Sequence, residues 1–340
     1  MEIKAKVERR KAKVPGDYFY LFPFLFSLGC ALAVGAASAQ PYPAKPVRIV
    51  VGFAAGGPTD VIARIMAQDM TASMGQTVIV ENRTGANAII ATDFVARAAP
   101  DGYTALFSSL SLLVNAILQP DKIKYDPFKD FAPVSNAALL PQLIVTRLST
   151  PVNSVRELVA LAKKYPGEVT YGSAGHGGSA HLAGALLETL GGVRMTHVPF
   201  RGNAPALVDV MSGQVTYMFY PMIGIADHVA AGKLKVLAAG TPQRHPDYPK
   251  VPTVVEAGFP GLVDTAPWVG VLVPAATPAG VVNRLSEEMR KSLARTETQG
   301  RLKVLGANTV GDTPAQFQAF LKKDYERWSR VIKAAGVKAE

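Results

Sequence analysis

The chain has 340 residues, 49% of them hydrophobic and 18% charged, with a formal charge of +10. Its 30 glycines and 25 prolines are spread without a low-complexity block, which excludes a disordered or collagen-like chain and leaves room for one large core or two. The basic residues are scattered rather than interleaved with aromatics, which speaks against a nucleic-acid surface, and a single cysteine, Cys30, excludes an internal disulfide.

The first segment has a targeting pattern. Lys4, Lys6, Arg9, Arg10, Lys11 and Lys13 precede an apolar run over about 18–34, and Ala37-Ser38-Ala39 then stands before Gln40. This basic, apolar, small-x-small succession predicts a secretory signal peptide over 1–39. A membrane anchor is the rival, but Pro23, Gly29 and Gly35 interrupt the run, which falls short of the roughly 20 residues a spanning helix needs. Ser27-Leu28-Gly29 before Cys30 is a poor lipoprotein box. Cleavage removes six Lys/Arg and three Asp/Glu, so the charge falls from +10 to +7. The mature chain then has no cysteine, hence no thiol nucleophile and no cysteine-based metal site. A mildly basic protein suits anionic small ligands and equally suits plain solubility.

From residue 47, short β-branched runs alternate with amphipathic ones. Strands are predicted at 47–53, 77–80, 104–107, 143–146, 169–171, 195–198, 215–219 and 235–239, and helices at 59–74, 88–98, 154–165, 179–190, 204–211, 223–231, 279–294 and 314–335. Ser154 with Glu157 three residues later reads as a capping box. Strands alternating with helices predict an α/β fold with parallel sheets covered on both faces. About ten such units are more than one open sheet holds, which implies two lobes. Ligands of such folds sit beyond strand carboxyl ends, at helix N-termini.

Two glycine-rich loops stand at such positions. The first, over 52–60, runs Gly52-Phe53-Ala54-Ala55-Gly56-Gly57-Pro58-Thr59-Asp60. Its glycines allow close backbone approach, Pro58 pre-sets a helical first turn, and the unpaired N–H groups of that turn favour an anion. The plain alternative is a tight turn capped by Thr59 or Asp60. Asp60 competes for the same donors, as a cap or as the partner of a ligand ammonium. The second loop, over 171–182, contains Gly172-Ser173-Ala174-Gly175-His176-Gly177-Gly178-Ser179, with Ser173 and Ser179 adding hydroxyls. Gly175-x-Gly177-x-x-Ala180 also fits a dinucleotide fingerprint. The acid expected after the next strand is replaced by Phe200-Arg201, which would suit a nucleotide 2′-phosphate. That unit begins mid-chain, however, and exported nicotinamide enzymes are rare. Ser173 has Tyr171 rather than Gly two positions before it, so there is no nucleophile elbow. His176 and His181 are five apart and off one helical face, which argues against a metal pair; His197, His228 and His245 are isolated. No carboxylate pair suggests acid–base chemistry. The residues therefore predict no enzyme, cofactor or metal.

Further motifs run in order along the chain: Gly56-Gly57-Pro58-Thr59-Asp60 with Ala63-Arg64, Glu81-Asn82-Arg83-x-Gly85-Ala86, Pro100-Asp101-Gly102-Tyr103-Thr104, Tyr125-Asp126-Pro127-x-Lys129-Asp130-Phe131, Tyr171-Gly172-Ser173-Ala174-Gly175, His197-Val198-Pro199-Phe200-Arg201-Gly202 and Pro252-Thr253-Val254-x-Glu256-Ala257-Gly258. Over 43–338 this succession resembles the tripartite tricarboxylate transporter receptors, also called Bug proteins. The resemblance implies a two-lobed, type II-like periplasmic binding fold, with 40–141 and 265–340 in lobe 1 and 142–264 in lobe 2. It implies a periplasmic, monomeric receptor that passes a small carboxylate to integral-membrane transporter subunits. A sensing module feeding a membrane histidine kinase is the alternative partner role, and an exported enzyme the remote one. It carries ligand contact onto Phe53, Ala55, Gly57, Thr59 and Asp60 from one lobe and Ser173, Ala174, Gly175, Gly178 and Ser179 from the other. Arg201 is a further candidate, able to hold a carboxylate bidentately or to brace the hinge. Arg64 either reaches the ligand or pairs with Asp60. Three positions depart from the pattern: Tyr220 stands where an Asp is common, His176 where a small amide is common, and 108–115 is unusually apolar. Tyr220 is thus expected to shift ligand preference.

Overall fold

The computed structural model describes residues 42–337 apart from 223, 264 and 305, so the expected signal peptide over 1–39 lies outside the described residues. Strand β1 (Val47–Val51) is short, β-branched and almost wholly buried, as a strand with helices over both faces must be. Helix α1 (Pro58–Met74) follows; Pro58 opens it and Gly75, at φ 67, closes it. The order continues through β2 (Val78–Asn82), α2 (Ile89–Ala96), β3 (Thr104–Ser109), α3 (Ser111–Leu118) and β4 (Phe131–Leu139). Next come β5 (Gln142–Arg147), α4 (Val155–Lys164), β6 (Thr170–Ser173), α5 (Ser179–Gly191), β7 (Thr196–Pro199), α6 (Asn203–Ser212), β8 (Tyr217–Pro221), α7 (Ala226–Ala230) and β9 (Leu234–Ala239). The chain ends with β10 (Trp268–Pro274), α8 (Ala279–Ala294), α9 (Thr296–Val304), β11 (Asn308–Thr309) and α10 (Pro314–Ala335).

These strands form two sheets, ordered β11-β4-β10-β3-β1-β2 and β7-β6-β8-β5-β9. Both are mixed rather than parallel. β10 runs antiparallel between β3 and β4, and β5 runs antiparallel between β8 and β9. The intruding strands are those by which the chain enters each sheet from the other. β4, β10 and β11, and helices α3 and α9, are elements the sequence pattern left unassigned. β4 carries Pro133, Ser135 and Asn136, and β10 carries Gly270, all of which read as turn signals. Gly270 has a packing reason: a Cβ there would stand 2.7 Å from Phe317 Cζ and 2.8 Å from the Ser135 carbonyl.

Caps explain the helix ends. Ser154 accepts from the Glu157 N–H as expected, but the Glu157 carboxylate takes the N–H of Asn153, so the box is shifted by one residue. The full reciprocal box is at Thr313 and Gln316, opening α10.

Period-two alternation along β8 feeds two cores. Tyr217 and Phe219 face one with Tyr171 and Leu237, while Met218 and Tyr220 face another with Leu143 and Leu207. The first sheet packs Trp268, Phe317 and Leu272. Leu110, Val114, Trp328 and Ile332 join Leu182 of α5 in a cluster that links the elements around the two sheets.

A cleft at three helix N-termini

The two glycine-rich loops lie opposite each other. A narrow cavity with room of only about 30 Å³ lies between them. Phe53, Gly57, Pro58 and Thr59 line it from the first loop, and Ala174, Gly178 and Ser179 from the second. Asn87, Ser109, Ser111, Asn203 and Pro221 complete the polar and backbone wall, with Leu140, Pro267 and Val269 at the floor where the chain passes between sheets. A second opening beside it is lined by Gly175, His176, Arg201 and Lys122.

Helices α1, α5 and α6 all point their N-termini here. Their caps are Gly57, Gly178 and Gly202, and none supplies a side-chain bond to the first-turn N–H groups. Those donors have no partner within their own helix and carry the positive end of the dipole. Gly202 is at φ 147, and a Cβ there would stand 3.1 Å from Ala54 Cβ, so this position holds glycine both for its conformation and for the close approach of the first loop. The Thr59 and Ser179 hydroxyls stand beside the backbone donors, and Ser179 Oγ also contacts Gln142 Nε2 at 3.1 Å.

The expected site residues divide. Phe53, Gly57, Thr59, Ala174, Gly178 and Ser179 come together in the cavity, and Gly175 and Arg201 at its mouth. Ala55 is exposed and lines neither opening. Asp60 is buried and its carboxylate is engaged: Oδ2 accepts from Gly56 N and Arg64 Nε, both at 2.9 Å, and Oδ1 from Asn82 Nδ2 at 2.8 Å. Burial alone would raise its pKa, but the bonds from Arg64, Gly56 and Asn82 outweigh it and hold the carboxyl below the usual value. Asp60 with Arg64 is thus a clamp on the first loop; Asn82 Nδ2 adds a bond to the Phe53 carbonyl. Ser173 is fully buried behind the second loop, bonded to Gly175 and to His197. Tyr220 is 4% exposed, packs in the core with Ala206 and Leu207, and lines neither opening; burial pushes its phenol up to about 12. Strand alternation explains this: Tyr220 turns its ring away from the cleft while the next residue, Pro221, meets it.

Sequence reasoning missed Asn87, Ser109, Ser111 and Asn203. They lie outside both glycine-rich loops, and only the fold carries them to the cleft. It also missed a histidine cluster. His176, His181 and His197, distant or off-face in sequence, bring ring nitrogens within 4.8 Å of one another behind the second loop. His181 and His197 stack with centroids 3.9 Å apart and planes 17° apart. Burial drives His181 down to about 4 and His197 to about 2, so both rings are neutral. One of the His181 nitrogens is already committed, since Nδ1 accepts from Gly177 N at 2.9 Å. Three ligands of one zinc ion at 2.0–2.1 Å would also lie within about 4 Å of each other.

The family model described as "Tripartite tricarboxylate transporter family receptor" matches residues 62–337. Protein BugT of Bordetella pertussis is 35% identical over 317 residues, covering 93% of this chain and 96% of that one. Among solved structures, the periplasmic binding protein BugD superposes with a TM-score of 0.84 at 35% identity, over 88% of this chain and 100% of that one. R. palustris Rpa4515 with adipate superposes with a TM-score of 0.84 at 34% identity, over 87% of this chain and 99% of that one. The chain therefore belongs to the tripartite tricarboxylate transporter receptor family, with the two-lobed fold of periplasmic binding proteins, and is a solute-binding receptor rather than an enzyme.

Proposed function

We propose that this protein is a periplasmic receptor that captures a small dicarboxylate in the cleft and presents it to membrane transporter subunits. The observation that carries the reading is the convergence of three helix N-termini without side-chain caps on one cavity that, among the described residues, no acid lines, while Asp60 of the first loop is already engaged. Fixed backbone donors hold an anion without the cost of reorienting solvent. Phe53, Gly57, Thr59, Ala174, Gly178 and Ser179 contact the ligand, and Gly175 stands at the rim with Arg201. Arg201 and Lys122 at the mouth draw anions inward. The adipate on Rpa4515 supports a dicarboxylate of this size. Lobe 1 (40–141 with 265–340) and lobe 2 (142–264) close over it by rotation about the two crossings, and the closed form is the one that docks on the transporter.

The test is a thermal-shift screen of the purified protein against mono-, di- and tricarboxylates, aromatic acids and amino acids. At one hundred times Kd a ligand adds about 2.7 kcal/mol of stability, which a melting curve resolves. Thr59→Val and Ser179→Ala should each weaken the hit about tenfold, the value of one hydrogen bond to a charged group. A screen without any anionic hit, with no acid released on denaturation, would sink the reading. Loss of uptake of the hit on deleting the gene tests the transporter role; intact uptake would overturn it.

A further inference from the structure

Asn87 stands in a turn of three consecutive non-glycine residues in the left-handed region, Ala86, Asn87 and Ala88, at φ 47, 48 and 70. Such backbone persists only where its surroundings over-determine it. Here the restraint is a reciprocal pair with Asn115, itself 1% exposed. Asn115 Nδ2 donates to the Asn87 carbonyl at 2.9 Å, and Asn87 Nδ2 donates to Asn115 Oδ1 at 3.0 Å.

This pair fixes which way both amides point. Turning Asn115 over would set its oxygen against the Asn87 carbonyl, so its Nδ2 must face that carbonyl. Its Oδ1 then faces Asn87 and requires the Asn87 nitrogen there. Asn87 Oδ1 is what remains. It is buried without a hydrogen-bond partner among the described residues, and it lies 3.7 Å from where a Cβ of Gly178 would be, beside the N-terminus of α5. Asn87 lines both the cavity and its mouth. The wall is otherwise rich in donors: first-turn N–H groups and the hydroxyls of Thr59, Ser109, Ser111 and Ser179. The hydroxyls can turn to donate or accept, whereas Asn87 Oδ1 is an acceptor that the Asn115 pair holds in one orientation.

We infer that Asn87 Oδ1 receives the hydroxyl of the ligand, so that this receptor selects a hydroxylated dicarboxylate over the unsubstituted acid of the same length. The inference rests on the dicarboxylate reading above. A carboxylate is acceptor-only and leaves Asn87 Oδ1 unsatisfied, whereas an alcohol supplies the missing donor. An ammonium would also donate, but it would be buried without an acid, because the oxygens of Asp60 belong to Gly56, Arg64 and Asn82. Sites that bond a substrate hydroxyl reject analogues lacking it far more strongly than apolar pockets reject a methylene.

The experiment is calorimetric titration of malate against succinate, and of 2-hydroxyadipate against adipate, on the intact receptor and on Asn87→Gly. Glycine accepts φ 48 without strain, so the variant removes the acceptor while leaving the turn available. The hydroxylated member of at least one pair should bind the wild type at least about tenfold tighter, with the ratio falling to within about twofold in Asn87→Gly. Equal binding of both members by the wild type overturns the inference and leaves the dicarboxylate reading standing. A preference that survives in Asn87→Gly, shown folded by an unchanged melting curve, also overturns it. Binding of no member of either pair overturns both.

Discussion

The N–H of Leu140 donates to the carbonyl of Pro267 at 2.8 Å, which ties together the two places where the chain passes between its sheets. Both residues also form the floor of the cleft. The floor of the cleft is thus built where the chain crosses between its sheets.

Directly after that tie, Trp268 donates from Nε1 to Asp324 Oδ2 at 3.0 Å, and Arg327 Nη2 reaches Asp324 Oδ1 at 2.7 Å. Burial raises the Asp324 pKa, and the Arg327 charge works against that rise. Asp324→Leu leaves the buried indole N–H unpartnered, at a cost of about 1–3 kcal/mol in urea unfolding. Asp324→Asn keeps an acceptor and should cost less. Equal losses for both would show that the Trp268 bond is not what the carboxylate provides.

Gly184 in α5 lies against Tyr171, and a Cβ there would be 2.3 Å from Tyr171 Cε2. Gly184→Ala should therefore destabilise by about 1–3 kcal/mol through overpacking, despite the better helix propensity of alanine. Gly280, in the first turn of α8, has nothing within 4 Å of its Cβ position. Gly280→Ala should be neutral or stabilise by up to about 1 kcal/mol. Differential scanning calorimetry of the pair checks the opposite signs.

The histidine stack predicts a pH dependence. His181 and His197 are neutral when folded, with pKa values near 4 and near 2, while in the unfolded chain each titrates near 6.5. Below pH 6.5 the unfolded chain binds more protons, so falling pH favours unfolding. Each ring contributes a loss of about 1.4 kcal/mol per pH unit, ending near pH 4 for His181 and continuing lower for His197. Glu188, whose carboxyl burial pushes up and which bonds Tyr171 beside the stack, acts in the opposite sense toward acid pH. Unfolding free energy should be flat from pH 8 to 7 and fall between pH 6.5 and 5 with uptake of about one to two protons. A flat profile down to pH 5 would contradict neutral, buried rings.

Asp60 should matter for binding without touching the ligand. Asp60→Ala releases Gly56 N, Arg64 and Asn82 together, so the first loop loses the clamp that places Gly57 and Thr59. Affinity for the receptor's carboxylate should drop about tenfold or more, while Asp60→Asn, which keeps a bond to Gly56, should lose less. Titration with the hit of the ligand screen measures both; unchanged affinity in Asp60→Ala would remove the clamp role.

The α/β class, most helices and strands, and the two glycine-rich loops are legible in the amino-acid order. Those features rest on local causes: periodicity, caps, and glycines before helix N-termini. It also offered the Asp60–Arg64 pairing, because i,i+4 neighbours on a helix meet whatever surrounds them. The rest depends on how distant segments pack. β10 and β5 run antiparallel because the chain re-enters each sheet from the other, a fact no local window contains. Tyr220 turns into the core and Pro221 into the cleft because strand register sets the face. Asn87 meets Asn115 across 28 residues, and His176, His181 and His197 gather behind one loop. Burial and unmet hydrogen bonds are properties of what surrounds a residue, and the surroundings exist only once distant segments have packed.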